Sequence, residues 1–181
     1  MSKTTVASTG IDLTDSFAFT GTVTGVGGIT MADQWRVTTS FQGDQNPVAS
    51  NWERNDTDFA QIGTGMTQSS GVFTFPQTGV YHVEYGGVIS STDENRWGDF
   101  KIEFTTDNSS YNLRSGTGTA GAYVSSNSIY NSATSNCILD VTNTSTHKVR
   151  FSIDFNSGNA TAQCSSGYQY HGATFIRLGD T

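Results

Sequence analysis

The side chains that most readily carry chemistry in this chain are three histidines, His82, His147 and His171, two cysteines, Cys137 and Cys164, and sixteen carboxylates. A zinc site needs several His, Cys or Asp ligands to converge, usually at close and regular spacing. None of the histidines has a partner at such a spacing. His82 falls on the outward side of an expected strand, His147 opens another beside Lys148, and His171 stands between Tyr170 and Gly172. All three are expected at exposed or interface positions, and no metal is expected to be held by them.

Hard cations take clusters of oxygen ligands. Asp93, Glu94 and Asn95 form one such cluster just before Arg96-Trp97-Gly98-Asp99, which makes calcium conceivable. Asp56 and Asp58 form another, and neither has the alternating Asp loop with its glycine that makes calcium binding specific. Solvated loop charge is the simpler reading, so no cofactor is expected. Asp93, Glu94, Arg96 and Trp97 are retained as a candidate binding loop. Glycoside hydrolysis would need a facing pair of carboxylates, and Glu occurs only at positions 53, 84, 94 and 103. There is no Gly-x-Ser-x-Gly elbow, phosphate loop or dinucleotide fingerprint. The chain is expected not to be an enzyme. Cys137 and Cys164 are expected to be free thiols, since a disulfide framework normally uses more cysteines.

The elements that would position these residues are strands. Leucine appears only at positions 13, 113, 139 and 178 and lysine only at 3, 101 and 148. Thr, Val, Phe and Tyr dominate instead, and these suit a pleated, half-buried surface. Trp35, Val37, Thr39 and Phe41 alternate with polar neighbours, and Gly43 to Pro47 reads as a turn. Phe73 and Phe75 precede Pro76, which cannot donate to a ladder. Tyr81, Val83 and Tyr85 then share one face of a strand, with His82 and Glu84 on the other. Alternation returns at Phe100–Phe104, at Ile138 with Asp140, at Val149–Phe155, and at Phe175 with Arg177. This predicts eight to ten strands with loops suited to a sandwich or jelly roll.

Residues 1–29 differ from the remainder. In this Thr- and Gly-rich stretch Ile11, Leu13, Phe17 and Phe19 alternate with small or polar residues, which predicts an extended N-terminal arm, either frayed or pairing only when chains associate. Residues 30–181 are expected to form the domain. A net charge of −7 with no Lys/Arg cluster opposes binding to phosphate backbones and anionic lipid. No apolar run is long enough to span a bilayer, and the N-terminus lacks the apolar centre of a signal peptide. Synthesis in a cytoplasm, with release by lysis, is therefore expected.

The stretch SGVFTFPQTGVYHVEY, residues 70–85, resembles the signature of the complement-head family, which shares a superfamily with tumour necrosis factor. The signature reads Phe73, Gly79, Tyr81, Val83, Tyr85, with Val83 in place of the usual Phe. The likeness extends over about residues 30–181, with Val149–Phe155 and Ala173–Gly179 resembling the closing strands. It implies a ten-stranded jelly-roll β-sandwich that assembles as a homotrimer, with Tyr81, Val83 and Tyr85 at or near the three-fold axis. Residues 10–23 also resemble the linkers of phage fibre proteins, and the whole chain is similar to small virion proteins of marine bacteriophages that infect cyanobacteria. That likeness implies a virion structural protein: a trimeric tail fibre or short appendage for host attachment, or alternatively a capsid decoration protein. Its partners would be itself, other virion proteins through the arm, and a host-surface glycan or protein. A cellular ligand-binding, adhesive module is the alternative from another class.

Overall fold

A computed structural model describes residues 28–56, 58–92, 95–121, 127–156 and 158–181. The expected arm lies outside the described residues except for Gly28 and Ile29. Every regular element among the described residues is a strand. In chain order these are β1 (Ala32–Val37), β2 (Phe41–Gln42), β3 (Trp52–Arg54), β4 (Thr67–Ser69), β5 (Val72–Thr74), β6 (Gly79–Ser91), β7 (Asn95–Thr105), β8 (Asn112–Gly121), β9 (Ile129–Val141), β10 (Lys148–Phe155), β11 (Thr161–Gln163) and β12 (His171–Gly179).

Two antiparallel sheets face each other. The first runs β9-β6-β12-β1-β3, and the second runs β4-β5-β10-β7-β8. These ten strands make the expected jelly-roll sandwich. β11 and β2 extend the first sheet at one end, where β6 runs on past β12 and pairs with β11 from Val88 to Ser90. The strand expected over Trp35–Phe41 is interrupted: β1 stops at Val37 and pairing resumes at Phe41. β8, with the sequence NLRSGTGTAG, carries no apolar alternation because it is an edge strand whose side chains are small and largely exposed. The residue pattern therefore gave no sign of it.

The core lies between the inward faces. From the first sheet come Tyr81, Val83, Tyr85, Ile89, Leu139 and Phe175; from the second come Phe73, Phe100, Ile102, Phe151 and Ile153, all buried. Period-two alternation sends these residues to one side, and each large side chain removed from water contributes about 1.5–3 kcal/mol. Phe73 sits at the centre, with Trp52 edge-on at 5.0 Å and Phe151 and Phe175 each at 5.3 Å. Tyr85 stacks on Phe151 at 4.6 Å. Such offset and edge-on pairs add about 0.5–1.5 kcal/mol each beyond their burial.

One corner of the sandwich is polar. Asp33 on β1 is fully buried, and its carboxylate takes the Arg54 guanidinium (Nε–Oδ1 2.9 Å, Nη2–Oδ2 3.2 Å), the Trp35 indole N–H (2.9 Å) and the Met66 amide (2.7 Å). Arg54 also lies 4.7 Å over the Trp35 ring. A buried carboxylate is tolerated only when its lone pairs are filled in this way. A Cβ at Gly65 would fall 2.4 Å from Asp33 Oδ2, so the adjoining loop needs a glycine there.

Candidate functional site

Tyr81, Val83 and Tyr85 project from β6 into the space between the sheets and have no exposed surface. The Tyr81 hydroxyl donates to the Gln77 carbonyl at 2.8 Å, and the Tyr85 hydroxyl pairs with His171 Nε2 at 2.8 Å. These three side chains are therefore packed within one chain. The expected interface residues Tyr81, Val83 and Tyr85 thus lie in the core of the chain, and alternation places Val80, His82 and Glu84 on the opposite face of β6. His171, expected at the surface or an interface, is also in the core. Burial pushes its imidazole down to about 3, which keeps it neutral.

In the candidate binding loop, Asp93 and Glu94 lie outside the described residues. Arg96 and Trp97 belong to β7 rather than to a loop, beside an irregularity in its pairing with β8 between Asn95 and Gly98. Trp97 is 44% exposed, and its carbonyl accepts from the Asn156 amide at 2.9 Å. Of the other acidic pair, Asp56 is engaged with Arg36 at 2.6 Å. Among the described residues no three His, Cys, Asp or Glu side chains converge to hold a metal ion. Cys137 and Cys164 are free thiols, pushed up by burial to about 11 and about 12. Both are therefore poor nucleophiles at neutral pH.

The outward face of the first sheet has two parts. At one end, strand register aligns Ile62, Ala32, Ile176, His82 and Ile138 in a single row across the sheet. Ile138 is 64% exposed, and Ile62, Leu178 and Ile29 are also large exposed apolar residues. Along β9 Leu139 and Val141 are buried, and Ile138 and Asp140 are exposed.

Further along β6 the same face sinks into a groove of about 420 Å³. Its floor is Gly86, Gly87 and Gly172, and its walls include Glu84, Gln169 and Thr134. Gly86 pairs with Gly172 on one side and Thr134 on the other. Cβ atoms at Gly86 and Gly172 would fall 2.4 Å from the Ala133 carbonyl oxygen and 2.2 Å from that of Trp35. The close strands demand glycine there, and the missing side chains leave the hollow. Sequence reasoning passed over this groove. The Gly86-Gly87 pair within an alternating strand was the available signal, since a glycine there marks close backbone approach.

No described protein family and no curated protein sequence matches the chain. Solved structures do. Eiger TNF from S. frugiperda matches with a TM-score of 0.63 at 14% identity, over 85% of this chain and 96% of that one. Murine APRIL, solved at pH 8.5 and at pH 5.0, matches with a TM-score of 0.55 at 12% identity, over 82% of this chain and 98% of that one. The fold is a TNF-like jelly roll.

Proposed function

We propose that the chain is a non-enzymatic homotrimeric module whose jelly-roll head recognises a surface, and that it serves in a bacteriophage virion as a fibre or short appendage. The observation that carries the assembly is the row Ile62–Ala32–Ile176–His82–Ile138, apolar but for His82, which no strand among the described residues covers. A row of this kind on an otherwise polar sheet face marks an association surface. The likeness to the complement-head and tumour-necrosis-factor superfamily favours three copies. The virion assignment draws on the likeness of residues 10–23 to fibre linkers and on the acidic charge.

Light scattering tests the assembly. A trimer has a mass of about 58 kDa, three times the 19.4 kDa chain, and a monomer at micromolar concentration refutes it. Mass spectrometry of purified phage particles that carry this coding sequence tests the virion role, which absence of the chain from those particles refutes.

A further inference from the structure

We propose that the glycine-floored groove on the outward face of the first sheet binds a neutral saccharide. This deepens the surface-recognition reading and rests on it.

The groove is sized for a small ligand, since about 420 Å³ falls within the span of roughly 300–1,000 Å³ usual for such sites. Its floor is backbone from three glycines, fixed by the strand contacts at Gly86 and Gly172. The walls are uncharged except for Glu84, and no Lys or Arg lines them. Arg36 lies opposite Gly172 on β1, but it is committed to Glu53 at 3.1 Å and Asp56 at 2.6 Å. A phosphate, sulfate or carboxylate ligand would therefore meet only Glu84, with the wrong sign.

The groups that remain include both donors and acceptors. Asn55 Nδ2 donates to Gln169 Oε1 at 2.9 Å, which fixes the carboxamide and leaves its Nε2 with hydrogens to give. Among the described residues, neither that nitrogen nor the Glu84 carboxylate nor the Thr134 hydroxyl has a hydrogen-bond partner. Sugar hydroxyls suit such a mixed set because each can give one hydrogen bond while accepting another. Tyr170, edge-on to Tyr168 at 5.3 Å, forms part of the wall and supplies an aromatic surface for the C–H face of a pyranose. Glu84 stands one outward position beyond His82, so the groove begins where the apolar row ends.

The test is an NMR titration of the isotopically labelled full chain with the methyl glycosides of glucose, galactose, mannose and N-acetylglucosamine. Titration to about 50 mM reads even single-sugar sites of millimolar affinity. The Gly86, Gly87 and Gly172 amides should shift with at least one glycoside. Gln169→Ala and Glu84→Gln should each weaken that binding about tenfold, the usual result of losing one hydrogen bond to a ligand. The inference is overturned if no glycoside moves these amides, or if both variants bind as the parent does. The mass of the same sample separates the two readings. A trimer with a silent groove refutes only the saccharide site, while a monomer refutes the assembly whether or not the groove binds.

Discussion

His171 Nε2 lies 2.8 Å from the Tyr85 hydroxyl, its Nδ1 has no hydrogen-bond partner among the described residues, and the rings of Phe41 and Phe100 flank it at 5.6 and 5.5 Å. Protonation would place a charge in this apolar sleeve, so its folded-state value falls to about 3 from an ordinary 6.5. The unfolded chain then takes up the proton first as pH falls. The stability contribution is full above about pH 6.5 and is lost towards pH 3, at up to about 1.4 kcal/mol per pH unit. Urea unfolding between about pH 8 and pH 4 should show this slope, and His171→Gln should flatten it; an unchanged slope would assign the acid sensitivity elsewhere. The buried pair at Asp33 makes a different prediction. Arg54→Ala strands a carboxylate with no counter-charge and should cost roughly 3–5 kcal/mol. Asp33→Ala leaves Arg54, which is partly exposed and able to reach water, and should cost about 1–3 kcal/mol. Denaturant midpoints of the two variants check the order.

At the scale of the strand, β6 decides which residues are core and which are contact. Its alternation was legible from Tyr81, Val83, Tyr85, His82 and Glu84, but alternation alone does not say which face meets the second sheet and which faces outward. Phe73, Phe151 and Phe175 arrive from elsewhere in the chain and claim the tyrosine side. If the proposed trimer forms through the outward face, Ile138→Asp should dissociate it while leaving the fold within about 0.5 kcal/mol of the parent, as surface substitutions usually do. Tyr81→Asp should instead unfold the head, because it puts an unpaired carboxylate into the core. Light scattering paired with circular dichroism distinguishes the two, and a folded, monomeric Tyr81→Asp variant would return the interface to the tyrosine face. β8 was not legible: as a Gly/Ser/Thr edge strand held by its backbone ladder to β7, it has no apolar period to read.

At the scale of the whole molecule, the described residues close into a sandwich, and the row through Ile176, His82 and Ile138 lies on that sandwich. A chain beginning at Gly28 is therefore expected to remain a trimer by light scattering. A full-length trimer that becomes a monomer on this truncation would transfer the assembly to the arm. Each full chain carries a net charge of −7, and chains of like charge must approach one another to assemble, so the proposed trimer should tighten as salt screens them over a Debye length of about 10 Å at 0.1 M.

By itself the sequence determined the all-β class, the main core strands and the jelly-roll likeness, because period-two patterning and the Phe73–Tyr85 signature are local properties of the chain. Only the tertiary structure decided that His171 is buried, that Tyr81 and Tyr85 face the second sheet, and that Ile176, His82 and Ile138 share a row. It also decided that Gly86 and Gly172 leave a groove between them. Each of these depends on strand register between segments far apart in sequence, and a one-residue change in register exchanges the faces of a strand.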